Sequence, residues 1–274
     1  MKQDTLKPSN PGILGPIIND PIIAVEDLTM AFGENVIQKD LTFTINKGDV
    51  FIVMGGSGCG KSTLMKNLIG LHRPAKGKVF YNEKSFWDVE ESERQHILRR
   101  LGVMYQGGAL WSSMTLAENI MLVIQEYQEI EPDQALELAS LKLALVGLAG
   151  FEDYYPSEIS GGMKKRASIA RAMALDPEIL FLDEPSGGLD PISAKMLDDL
   201  ILQLKSSLGT TVVVITHELA SIFTIGNNSI FLDTETKTMI ASGNPKRLLE
   251  ECNNAVVRRF LTRGASEPPT KAIG

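Results

Sequence analysis

With 274 residues, 43% of them hydrophobic and 22% charged, the chain can bury a substantial core as one domain with a subdomain or as two small domains. A net charge of −7 and a pI near 5.1 argue against nucleic acid as the main partner, because duplex binding requires a basic footprint. Two cysteines without a pairing pattern, Cys59 and Cys252, fit a reducing compartment. The polar start "MKQDTLKPSN" leads into no unbroken apolar stretch, and no run approaches the roughly 18 residues of a membrane span. The sequence therefore predicts a soluble protein tied to any membrane only through a partner.

Residues 1–21, rich in Pro, Gly and Asn, read as a flexible arm. Short strands broken by turns such as "NKGD" follow, from "IIAVEDLTMAF" to "LTFTINKGDVFIVM". "VFIVM" is continuously apolar, as expected of a strand buried on both faces, and "GKVFYNE" and "LGVMYQ" read as further strands. From 107 to 160 the texture becomes mostly helical. Thr115 and Glu118 stand at capping-box spacing, and Pro132 with Asp133 suits a second helix start. Strand–helix alternation then resumes through "EILFLD", a helix at 191–207, "TTVVVIT", a helix from Glu218, and "NSIFLD". That pattern implies a parallel sheet with crossover helices. The segment 245–274 reads as a helical extension ending in a loose tail, "ASEPPTKAIG".

Two stretches carry chemistry on their own. "GGSGCGKS", residues 55–62, fills G-x-x-x-x-G-K-[ST] between an apolar strand and a helix. Glycines let the backbone wrap phosphate oxygens more tightly than a Cβ allows; Lys61 reaches the β and γ phosphates, and the Ser62 hydroxyl suits Mg²⁺. "EILFLDE", residues 178–184, is an apolar strand ending in two carboxylates. Asp183 is placed to hold Mg²⁺ directly or through water, and Glu184 to take a proton from an attacking water. A third stretch raises a question. "SGGMKKR", residues 160–166, puts Ser160 at the start of a second helix, whose free N–H groups also suit an anion.

The glycine-rich loop, "SGGMKKR", "ILFLDEP", "SGGLD" and "THE" occur in the order and register of the ATP-binding cassette (ABC) transporter ATPases, which the chain resembles over about residues 22–244. The resemblance implies an α/β P-loop NTPase core with an antiparallel β subdomain and a helical subdomain at about 107–160. It implies ATP and Mg²⁺ as ligands, with the nucleotide on Gly55, Gly56, Ser57, Gly58, Cys59, Gly60, Lys61, Ser62 and Thr63. Gln106 would sense Mg²⁺ and γ-phosphate, and Asp190 would end the loop after the catalytic strand. His217 would be the switch histidine beside the γ-phosphate, and Phe32 an aromatic ring under the adenine. Ser160, Gly161 and Gly162 match the family's signature, which acts on the nucleotide of a second cassette packed head to tail. With one copy of each motif, the chain is expected to form a homodimer.

Met163 in place of the commoner Gln, the basic residues after it, "YQGGALWSSMTLAENI" and "VRRFLTRG" are similar to the Mla- and Mce-type lipid-transport branch. That similarity implies integral membrane permease subunits, an Mce-type lipid-binding protein reached through the complex, and a place on the cytoplasmic face of the inner membrane. Importers or exporters of another cargo, a soluble ABC factor and a regulatory nucleotide switch are the alternatives. Lys164, Lys165 and Arg166 read as the solvated face of a helix. Leu110, Trp111 and Met114 either cap the helical insertion's core or form a groove for a permease helix. The extension is open between a buttress for the dimer and one for the permease.

Overall fold

The computed structural model describes residues 20–264, so residues 1–19 of the arm expected at 1–21 and the tail at 265–274 lie outside the described residues, and Pro21, the last residue of that arm, already opens a strand. β1 (Pro21–Phe32), β2 (Asn35–Asn46), β4 (Lys76–Tyr81) and β5 (Lys84–Ser85) form an antiparallel sheet in the order β2-β1-β4-β5. The second sheet combines β3 (Val50–Gly55), β6 (Leu101–Met104), β7 (Ile179–Asp183), β8 (Thr211–Ile215), β9 (Asn228–Leu232) and β10 (Met239–Ser242) in the order β10-β9-β3-β8-β7-β6. β6, β7, β8, β3 and β9 run parallel, whereas β10 is antiparallel to β9. The alternation rule missed that exception for a local reason. Only the 233–238 turn separates β9 from β10, and a connection that short cannot return a strand in parallel.

β3, β7 and β8 are buried at every residue, which explains their unbroken apolar sequences. Successive side chains point to opposite faces, so each strand feeds two cores. Val50, Ile52, Leu180, Leu182, Val212 and Val214 pack on one side with the helices of the 116–225 region. Phe51, Val53, Ile179, Phe181, Val213 and Ile215 pack on the other with the antiparallel sheet. These helices are α3 (Leu116–Tyr127), α4 (Pro132–Leu145), α5 (Gly161–Ala172), α6 (Pro191–Leu208) and α7 (Leu219–Ile225). The other face also takes up α1 (Lys61–Leu68) and Ile97 of α2 (Glu91–Arg99), a helix the sequence reading passed over.

Thr115 and Glu118 close a reciprocal box at the start of α3: the Thr115 hydroxyl accepts from Glu118 N–H at 3.2 Å, and Glu118 Oε2 accepts from Thr115 N–H at 2.7 Å. The extension folds as two short helices, α8 (Pro245–Glu251) and α9 (Ala255–Leu261), rather than one. Asn244 and Asn254 each cap a helix start through their side-chain oxygens, and the second cap begins a new helix after the break at Cys252.

Candidate functional site

Parallel strands place their C-terminal ends on one edge, and the chemistry-bearing loops leave from that edge. A cavity of about 940 Å³ opens there, lined by Gly55, Gly56, Ser57, Gly58, Lys61 and Ser62, by Gln106, and by Asp183, Glu184 and His217. Ten residues singled out from sequence are thus brought together. Cys59 is buried behind the loop, with Gly60 and Thr63 half-buried beside it.

The loop is shaped by backbone needs. Gly58 and Gly60 have φ of 76° and 96°, in the left-handed region. A Cβ at Gly60 would stand 2.7 Å from Ile37 Cγ2, and one at Gly55 would stand 2.3 Å from the Leu232 carbonyl oxygen. Those glycines let the loop pass close to β2 and β9. α1 follows with Gly60 as its N-cap and no side-chain cap, leaving the first-turn N–H groups for an anion. Lys61 Nζ donates to the Gly55 and Gly56 carbonyls at 2.9 Å each. Gln38 was not anticipated: it is wholly buried, and its Nε2 donates to the Cys59 and Asp233 carbonyls at 2.7 and 2.8 Å, tying the loop to the end of β9.

At the end of β7, burial raises the Asp183 carboxyl above its ordinary range, and a hydrogen bond from Ser62 opposes that shift. Glu184 is 8% exposed and holds φ at 48°, a rare backbone for a non-glycine residue. Its Oε1 lies 2.7 Å from His217 Nδ1, while its Oε2 is buried without a partner. A buried carboxylate oxygen left without a partner keeps its capacity to accept a hydrogen bond from a polar ligand or water.

Other motif residues lie elsewhere. Phe32 is 54% exposed at the end of β1, edge-on to His72 at 5.6 Å, and does not line the cavity. Ser160 caps α5, its hydroxyl accepting from Met163 N–H at 3.3 Å. Gly162 is half-buried behind it, and Gly161 lines a separate cavity of about 310 Å³ with Gly107, Gly108, Gly187 and Gly188. Asp190 caps α6, accepting from Ile192 and Ser193 N–H at 3.0 Å each, and hydrogen bonding to Ser193 holds its carboxyl below the ordinary range.

The basic cluster requires a correction. Only Lys164 is solvated. Lys165 Nζ donates to the Gln106 carbonyl at 2.9 Å and to the Glu184 carbonyl at 3.2 Å, and Arg166 Nη1 donates to the Val146 and Gly147 carbonyls at 3.1 Å each, beyond the end of α4. Spacing alone does not separate the three, because Ala167, Ser168, Ile169 and Ala170 are all buried and lie three or four residues from each of them. Leu110 packs on the core, whereas Trp111 is 55% exposed beside it. The extension also contributes unexpectedly. Val256, Arg259, Phe260, Arg263 and Gly264 wall the larger cavity, and the Phe260 ring meets Phe231 at 5.1 Å.

A mostly parallel sheet covered on both faces, a phosphate loop after β3, an uncapped helix start and a buried carboxylate at the end of β7, one strand removed, define a P-loop ATPase. Residues 38–187 match the family model described as ABC transporter, and the chain belongs to that family. It is 38% identical over 239 residues to the probable ribonucleotide transport ATP-binding protein mkl of Mycobacterium tuberculosis, covering 87% of this chain and 66% of that one. The chain thus spans about two thirds of that relative's length. It is 33% identical over 254 residues to the intermembrane phospholipid transport system ATP-binding protein MlaF of Haemophilus influenzae, covering 93% of this chain and 95% of that one. Among solved structures, cbiO1 of Clostridium perfringens, part of the ABC transporter complex cbiONQ, superposes with a TM-score of 0.77 at 26% identity, over 85% of this chain and 92% of that chain. The ATP-binding cassette MJ0796, dimeric in a post-hydrolysis state with ADP and Pi, gives a TM-score of 0.72 at 26% identity, over 81% and 98%.

Proposed function

We propose that this chain is the ATP-hydrolysing subunit of an ABC transporter that moves phospholipid or another hydrophobic cargo between bacterial membranes. The observation that carries the cargo is the near end-to-end match to MlaF, 95% of that chain. The mkl relatives are named for ribonucleotide transport, but a third of their length has no counterpart here. Among the described residues no helix is long and apolar enough to cross a membrane, which fits a subunit that meets the bilayer through a permease.

Lys61 and the bare N–H groups of α1 hold the β and γ phosphates, and Glu184 accepts a proton from the attacking water. His217, hydrogen-bonded to Glu184 Oε1, orients that carboxylate so that Oε2 is left for the water. Ser62 and Asp183 offer two hard oxygens, a donor set that fits Mg²⁺, with Gln106 close by. The described residues hold no cluster of three or more His, Cys, Asp or Glu suited to a metal, and Mg²⁺ in nucleotide sites takes its remaining ligands from phosphates and water. The ion would neutralise charge developing on the phosphate oxygens.

Ser160 and Gly161 do not line the Lys61 cavity, and this supports a head-to-tail homodimer in which each α5 start serves the other chain's γ-phosphate. The working assembly is a homodimer on permease subunits at the cytoplasmic face of the inner membrane, reaching an Mce-type lipid-binding protein through them. Affinity purification of the full chain from detergent-solubilised membranes, followed by mass spectrometry of co-purifying proteins and lipids, tests this reading. An integral membrane partner with bound phospholipid is expected. Recovery without any membrane protein, or with ribonucleotide as the transported species, overturns it.

A further inference from the structure

Lys165 lies on the signature helix but reaches the backbone behind its own chain's hydrolytic residues. Its ammonium bridges two backbone carbonyls, those of Gln106 and Glu184, whose side chains face the nucleotide cavity. Glu184 holds a left-handed φ of 48°, so the direction of its carbonyl is unusual and needs fixing. Gly187 N–H, in the loop leading to α6, shares that carbonyl at 3.2 Å. Burial lowers the basicity of Lys165, and the Glu184 and Asp183 carboxylates oppose that shift. Its Nζ donates to both carbonyls at once, so the side chain ties the two segments together.

We propose that Lys165 is a positioning residue that couples the two nucleotide sites of the dimer. The proposal rests on the reading above, in which the start of α5 contacts the partner's nucleotide. One turn separates that start from Lys165. When the Ser160 end shifts onto a γ-phosphate, the same rigid turn moves the ammonium that holds Gln106 and Glu184. Occupancy of one site is thereby registered at the hydrolytic carboxylate of the other. Coupling energy can pass between sites through hydrogen-bonded side chains, and the Lys165 contacts supply such a path.

The test uses the complex with its permease and compares wild type, Lys165→Met and Lys165→Arg. Lys165→Met keeps the side-chain length and removes the donors. It is expected to lower kcat by about tenfold and to bring the Hill coefficient for ATP toward unity, while the nucleotide Kd of the isolated chain stays within about twofold. Lys165→Arg, which still donates to both carbonyls, is expected to restore at least half of kcat and the cooperativity. A kcat within about threefold of wild type with unchanged cooperativity overturns the proposal. So does a parallel loss of thermal midpoint and nucleotide affinity that Arg does not repair, because a purely structural role would give that result. A separate arm measures ATP-driven dimerisation of Glu184→Gln. Absence of that dimer overturns the head-to-tail reading and the coupling with it, whereas an intact dimer with indifferent Lys165 variants overturns the coupling alone.

Discussion

His217 Nδ1 and Glu184 Oε1 lie 2.7 Å apart, and this contact divides the carboxylate: one oxygen is held and the other, buried and unpartnered, remains available. Glu184→Gln keeps the shape and the contact to His217 but cannot take a proton. Hydrolysis by the transporter complex is expected to fall by about 10²-fold or more with ATP affinity retained. Steady-state turnover within about threefold of wild type would assign the base elsewhere.

Phe32 stands outside the cavity, 54% exposed, with the His72 ring set edge-on beside it. An exposed ring has little packing to lose, so Phe32→Ala should leave the thermal midpoint nearly unchanged. If the ring stacks on adenine, the same variant should weaken ATP and ADP equally, by about 1–3 kcal/mol. Titration with a fluorescent nucleotide checks both, and equal affinities for variant and wild type would remove Phe32 from the site.

The separation of the Lys61 loop from the Ser160 helix predicts complementation between two inactive chains. Lys61→Ala removes the phosphate lysine, and Gly162→Asp puts an anion beside the signature. At Gly162 an added Cβ meets Ser193 Cβ and Oγ at 3.4 Å, ordinary contact, so a side chain can start there without moving the backbone. Each homodimer should be inactive. Mixed dimers should regain one intact sandwich, detected as trapped nucleotide. Failure to trap nucleotide despite proven mixed dimers would place the signature on its own chain's ATP.

Asp198 on α6 is 4% exposed, and burial pushes its carboxyl from 3.8 up to about 6, against a hydrogen bond from Ser221. Ser221 in turn lies 3.4 Å from Ser186. A folded-state value above the unfolded one means the native chain binds the extra proton, so this group destabilises the fold as pH rises through about 4 to 6. Asp198→Asn should therefore stabilise by about 1–3 kcal/mol at pH 7.5, with the gain disappearing near pH 4. Denaturant melts at the two pH values decide it; a gain that persists at pH 4 would exclude titration as the cause.

Much of this architecture was legible because its signals are local. Continuous apolar runs gave β3, β7 and β8, and Thr115 with Glu118 gave the start of α3. What escaped depends on tertiary context. Gln38 looks like any polar strand residue until the glycine loop and β9 converge on it. Nothing in "KKR" separates Lys165 and Arg166, which reach backbone carbonyls of distant loops, from the exposed Lys164. The bend at Cys252 and the approach of α9 to the cavity depend on where Phe231 lies in space, which no spacing rule encodes.

The position of α9 bears on how the protein should be handled. Arg259, Phe260, Arg263 and Gly264 wall the nucleotide cavity, and any sequence appended after Gly274 is leashed to that wall by ten residues. Arg259 and Arg263 bring two cations to the wall of a cavity that takes an anionic nucleotide, so an acidic tag placed there would compete with the phosphates for them. Such competition would lower apparent affinity and mimic a weakened phosphate loop. Kinetic comparisons therefore belong on chains whose C terminus is free.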